Sequence, residues 1–170
     1  IWFTGLSGAG KSTLSKILND KLRKYNYKVH NIDGDIFRKK NKVKDSFSKK
    51  NIIINNLLII DYIKKIQKNY NFILVSVISP LLKTRNMARI KFGRNYYEIY
   101  VKCKIKTLEK RDTKKLYKKA RNNIISNLIG YNSKIKYETS NYKRIIVNTD
   151  LLSKAASINK ITKKILDEKK

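Results

Sequence analysis

One cysteine, one proline and six glycines in 170 residues exclude several architectures at once. Cys103 has no partner, so a disulfide scaffold is ruled out, and a lone thiol fits a reducing, cytoplasmic compartment. No internal repeat, proline-rich linker or low-complexity tail divides the chain. No apolar run approaches the roughly 20 residues of a membrane-spanning helix, and the stretch 52–60 is broken by Asn55 and Asn56. No signal peptide is visible, and no initiator methionine precedes Ile1, so the natural N-terminus is expected upstream. The length suits one domain over residues 1–170, burying roughly 70% of the surface that its unfolded chain exposes.

Acidic residues are scarce as well: 12 against 41 lysines and arginines, a net charge of +29. Such a balance usually marks a nucleic-acid or membrane-surface binder. Here the lysines are scattered, and no aromatic-interleaved RNA-binding signature accompanies them. Isoleucine and asparagine together make up roughly a quarter of the chain. Lys, Asn, Ile and Tyr share A/T-rich codons, so compositional drift raises all four. The charge therefore fits drift plus an anionic small-molecule substrate better than a dedicated nucleic-acid partner, and no membrane partner is expected.

What is present alternates strands with helices. Residues 1–4, 29–32, 72–79, 97–101 and 145–148 read as strands. Residues 11–25, 48–68, 83–92, 107–122 and 153–166 read as helical, with Ser48 as a cap and Ile53, Leu57, Ile60 and Ile63 facing inward. Residues 123–144 are polar and aperiodic, and a lid is expected over about 113–144. Strands separated by helices imply an α/β, three-layer fold with a five-stranded, mostly parallel sheet. Ligands then sit beyond the carboxyl ends of the strands.

The first polar motif falls there. Gly5-Leu6-Ser7-Gly8-Ala9-Gly10-Lys11-Ser12-Thr13 fits the phosphate-binding pattern G-x-x-x-x-G-K-[ST] between a strand and a helix. Its backbone N–H groups and the helix start attract phosphate, Lys11 reaches the β- and γ-phosphates of ATP, and Ser12 holds Mg²⁺. Asp33-Gly34-Asp35 follows the second strand. These carboxylates suit a metal and an acceptor hydroxyl, and equally an Asp-Gly turn that caps a short helix.

These motifs, with Arg38 a turn later, Ile78-Ser79-Pro80 after the central strand, and Arg111-Asp112 followed by Leu116-Tyr117-Lys118-Lys119-Ala120-Arg121, resemble those of adenylylsulfate kinases. Order and spacing hold from Ile1 to about Thr149. The resemblance implies a P-loop nucleotide-kinase fold and transfer of the ATP γ-phosphate to the 3′-hydroxyl of adenylyl sulfate, a step of sulfate activation. It implies catalytic duty for Lys11, Asp33, Asp35 and Ser79, the last as a serine that is phosphorylated or one that only positions. It implies substrate contacts by Arg38, Phe47, Asn55, Ile78, Lys118, Lys119 and Leu128, with Arg121 in the basic lid, and Mg²⁺ on Ser12 and Asp33. Family members commonly form homodimers, and some are fused to the sulfate adenylyltransferase that makes their substrate. Tyr117 reads as lid packing, Trp2 and Met87 as core or groove fillers, and His30 and Cys103 as residues without metal or thiol chemistry.

The pattern breaks on the acceptor side. A substrate-gripping arginine of the family falls on Ile52, and losing such a contact costs about 1.5–3 kcal/mol, or one to two decades of affinity. Lys49 or Lys50 is the expected source of replacement charge. The second aromatic wall of the adenine clamp falls on Leu128, the family's R-D-P becomes Arg111-Asp112-Thr113, and its glycine before L-Y-K-K-A-R becomes Lys115. Two alternatives remain beside an adenylylsulfate kinase: a kinase of the same fold with another small-molecule acceptor, and a basic nucleotide- or nucleic-acid-binding module without turnover.

Overall fold

The computed structural model describes residues 1–42, 48–140, 142 and 144–167. Five parallel strands form one sheet: β1 (Trp2–Thr4), β2 (Val29–Asp33), β3 (Phe72–Ser76), β4 (Glu98–Lys102) and β5 (Ile145–Asn148), in the order β2-β3-β1-β4-β5. The helices are α1 (Lys11–Lys24), α2 (Gly34–Lys40), α3 (Lys49–Ile66), α4 (Leu82–Phe92), α5 (Ile105–Arg111), α6 (Leu116–Arg121) and α7 (Lys154–Asp167). No described helix is long and apolar enough to cross a membrane.

Strand alternation sends neighbouring side chains to opposite faces, and the core divides accordingly. Phe3, Leu74, Ile99 and Val147 meet Leu14 and Leu18 of α1 and Ile158 and Ile161 of α7. Trp2, Ile32 and Val75 meet Ile59, Ile60 and Ile63 of α3 and Ala88 of α4. Helices therefore cover both faces, as an all-parallel sheet requires. The first strand lies in the middle, between β3 and β4, so the loop that leaves it opens at the centre of the sheet's carboxyl edge.

Two expectations change. The third strand ends at Ser76 rather than residue 79, because the chain bends there: Gly5 N donates to Ile78 O (3.3 Å) and Ser79 adopts φ +40°. The buried face of α3 carries Ile52, Asn55, Asn56, Ile59, Ile60 and Ile63, leaving Ile53 and Leu57 half-buried. The helix is rolled so that Asn55 and Asn56 reach the carboxyl edge. Ser48 caps it as expected, accepting from Asn51 N at 3.2 Å.

Candidate active site

Gly5 is where the phosphate loop leaves the sheet. Its φ is +137°, and a Cβ would lie 2.4 Å from Val101 O, so no other residue fits against β4. The loop runs into α1 through Gly10. Lys11 Nζ donates to Leu6 O at 2.8 Å, folding the ammonium back onto the loop's own carbonyl. Burial pushes its pKa down to about 8 against the opposing pull of Asp35, with Lys114 adding to the fall. Two neighbours brace the loop: Tyr117 Oη donates to Ser7 O (2.9 Å), and Thr149 Oγ1 donates to Ala9 O (3.1 Å).

The two oxygens of Asp33 face different partners. Its Oδ1 accepts from Asp35 N (2.9 Å) and Ile36 N, capping α2, while Oδ2 accepts from Ser12 Oγ at 2.7 Å. A hydroxyl and a carboxylate thus converge beside the phosphate loop. That hard-oxygen pair fits Mg²⁺, which needs only one or two protein ligands when phosphates and water complete its shell. The intervening Gly34 presses on β3, where a Cβ would meet Val77 Cγ2 at 2.9 Å.

Asp35 carries two cations, Arg38 on Oδ1 and Lys114 on Oδ2. Burial alone would raise its carboxyl, but the Lys114 hydrogen bond and charge, then Arg38 and Lys11, hold it below the ordinary value. Asp35 lies at a junction. On one side is a cavity of about 500 Å³ bounded by the phosphate loop, Arg111, Lys114, Leu128, Thr149, Leu152 and Ser157. On the other is a narrow cleft of about 40 Å³ lined by Arg38, Ile52, Asn55, Asn56, Ser79 and Ile129. Asp35 and Ile78 line both.

The expected residues divide accordingly. Arg38, Asn55 and Ile78 meet at the cleft, and Asn55 Oδ1 is buried there without a hydrogen-bond partner. The Ser79 hydroxyl is enclosed, accepting from Trp2 Nε1 (3.0 Å) and donating to Asn56 Oδ1. Leu128 is buried on the large-cavity side, and its neighbour Ile129 lines the cleft instead. Lys118, Lys119 and Arg121 line neither cavity, because α6 turns Tyr117 and Ala120 inward and those cations outward. Lys49 and Lys50 are exposed and outside the cleft, so they do not supply the charge missing at Ile52. Ile52 itself packs on Leu81 and Ile129. Phe47 lies outside the described residues.

Sequence reasoning missed Asn56, Lys114 and the end of the large cavity away from the phosphate loop. There the Arg111 guanidinium donates to Thr149 Oγ1 (3.1 Å) and to its carbonyl (2.7 Å), beside Leu152. Asn56 left one trace, a second amide on an otherwise apolar helical face. Lys114 left only its place between Arg111-Asp112 and Leu116, where one lysine among many stands out little.

The family model described as adenylylsulphate kinase matches residues 1–148. An adenylyl-sulfate kinase of Clostridium acetobutylicum is 37% identical over 150 residues, covering 88% of this chain and 74% of the relative. One from Gloeothece citriformis is 36% identical over 165 residues, covering 97% and 92%. The Mycobacterium tuberculosis APS kinase solved in complex with AMPPNP and APS superposes with a TM-score of 0.81 at 26% identity, covering 98% of this chain and 94% of that one.

Proposed function

The chain belongs to the adenylylsulfate kinase family, and on that premise we propose that it transfers the γ-phosphate of ATP to the 3′-hydroxyl of adenylyl sulfate, giving 3′-phosphoadenylyl sulfate and ADP. The observation that carries the reading is Asp35, a carboxylate at the one place where the phosphate-side cavity and the acceptor cleft share a wall.

The large cavity takes ATP, its triphosphate over the loop amides and its base toward Arg111, Thr149 and Leu152. Lys11 leaves the Leu6 carbonyl for the β- and γ-phosphates, a stronger, charge-assisted partner. Ser12 and Asp33 would hold Mg²⁺, whose chemistry is to neutralise charge on the phosphates. In the cleft, Arg38 faces the acceptor's anionic group, and Asn55 Oδ1 accepts a hydrogen bond from an N–H or O–H elsewhere on the acceptor. Asp35 exchanges its cations for the 3′-hydroxyl, orients it in line and takes its proton as the new O–P bond forms and the bond to ADP breaks. The two hydrogen bonds of Ser79 support a positioning role, with direct transfer and no phosphoenzyme. At about 40 Å³ the cleft is too narrow for a nucleoside, so adenylyl sulfate enters by parting the Ile52–Leu81–Ile129 contact.

One observation favours a second reading, the same transfer to a different hydroxyl compound. Arg38 is the only basic residue lining the acceptor cleft among the described residues, and Ile52 makes its opposite wall apolar. Purified protein with ATP, Mg²⁺ and adenylyl sulfate separates the two. The first reading expects 3′-phosphorylated product, and no phosphate adduct by intact mass of the enzyme. Tight ADP binding without product, and no calorimetric heat from adenylyl sulfate added to the ADP complex, selects the second.

A further inference from the structure

A buried arginine that touches neither cavity holds the acceptor side together. Arg85, in the first turns of α4, is 0% exposed. Its Nη1 donates to Ser79 O and its Nη2 to Glu138 O, joining two segments far apart in sequence. Its Nε lies 3.4 Å from Glu98 Oε1 on β4, and its guanidinium sits 5.0 Å above the Tyr137 ring. The same two segments are laced again around it. Glu138 N donates to Pro80 O (2.9 Å), and Glu138 Oε2 accepts from Leu82 N at the start of α4. Tyr137 Oη pairs with Thr4 Oγ1 (3.0 Å), one residue before the phosphate loop.

The turn so held needs holding. Ser79 has φ +40°, a conformation that an L-residue adopts only where its surroundings over-determine it. Trp2 and Asn56 fix its hydroxyl; its carbonyl accepts from Arg85 and, at 3.5 Å, from Thr4 Oγ1, and it is Arg85 that ties it to the return of the lid. Lysine cannot replace this arrangement: an ammonium is a point charge, whereas the guanidinium fork donates to two carbonyls at once while its charge stays close to the Glu98 carboxylate.

We propose that Arg85 is a positioning residue of the transfer reaction, coupling the acceptor-side turn 78–80 to the lid's return at 137–138 so that the acceptor cleft takes its working shape only with the lid segment docked. The inference rests on the proposed acceptor chemistry for its kinetic readout, so a second readout independent of turnover accompanies it. Trp2 is the chain's single tryptophan, and its indole N–H bonds to Ser79, which makes its emission a reporter of the turn.

The experiment compares wild type with Arg85→Lys. At least a tenfold rise in KM for adenylyl sulfate is expected, with KM for ATP held within about threefold, and a shift in Trp2 emission before any substrate is added. A general loss of stability would lower the active fraction and so the apparent kcat, leaving both KM values unchanged. Should Arg85→Lys fold poorly, Glu138→Ala serves instead. From an exposed position it removes the one side-chain bond between the same two segments, Leu82 N to Glu138 Oε2, leaves the bond from Arg85 to Glu138 O in place, and strands no buried charge, so the same shifts are expected at smaller size. Unchanged Trp2 emission in a folded variant overturns the proposal, as does an equal change in both KM values. If wild type gives no product from adenylyl sulfate, the acceptor reading fails and Trp2 emission alone decides the role of Arg85.

Discussion

Lys11 donates to a carbonyl of its own loop and is partly buried, and burial holds its pKa down at about 8 rather than its ordinary 10.5. Phosphate binds the ammonium, not the amine, so nucleotide binding above that pH must first take up a proton. The charged fraction of free Lys11 falls about tenfold between pH 7 and pH 9. ATP affinity, measured by calorimetry at the two pH values, should therefore weaken by about the same factor. Lys11→Arg, which keeps its charge throughout, should bind less well but with a flat profile. A wild-type affinity that does not change over this range would mean that the lysine is already fully charged in the free enzyme. At this scale the sequence was most legible where backbone geometry admits one residue type. The glycines of the phosphate loop and the Lys11-Ser12 pair need no tertiary context to be read. Asp33 was legible only as a choice between capping and metal binding, because nothing in the sequence shows that one of its oxygens caps α2 while the other meets Ser12 Oγ.

At the scale of elements, α6 is the one whose start the sequence did not mark. Lys115 occupies its N-cap with φ +55°, and offers no side-chain cap. The cap comes from Asp112, whose carboxylate accepts from Tyr117 N (3.0 Å) and Lys118 N (2.8 Å). A left-handed lysine costs about 1–2 kcal/mol that glycine avoids. Lys115→Gly should then raise the melting temperature by about 3 °C, at roughly 2–4 °C per kcal/mol for a domain of this length. Calorimetry checks it, and an unchanged or lower melting temperature would mean that this backbone is not strained. The helices and strands themselves were legible because long apolar periodicity outlasts compositional drift. The roll of α3 was not, since isoleucine is so frequent that several faces look apolar, and only the inward path of Asn55 and Asn56 selects one. The outward face of α6 was missed for a related reason: a run of cations gives no sign of which of them meets the cavity, and Tyr117 and Ala120 decide it by packing.

For the molecule as a whole, strand order and the meeting of two cavities at Asp35 could not be read from sequence, because both depend on which crossover passes β1. The net charge of +29 could, and it has a consequence for stability. Several of the 12 acidic residues are committed to local work: Asp33 and Asp112 cap helices, Asp35 holds two cations, Glu98 is buried with Arg85, and Glu138 receives the start of α4. Few remain to neutralise the surface lysines, so like-charge repulsion works against the compact state. Salt screens exposed charges beyond about 10 Å at 0.1 M while leaving buried pairs almost untouched. Raising sodium chloride from about 20 to about 300 mM should accordingly raise the melting temperature, opposite to a protein held by surface ion pairs. Over the same range any sequence-independent RNA binding should collapse, since counterion release makes it fall steeply with salt. Turnover on saturating substrates should persist, because Lys11, Arg38 and Asp35 act at hydrogen-bond distance. If instead RNA affinity survives at the higher salt while phosphoryl transfer is absent, the charge would have to be read as a nucleic-acid surface rather than as drift around an anion-binding kinase.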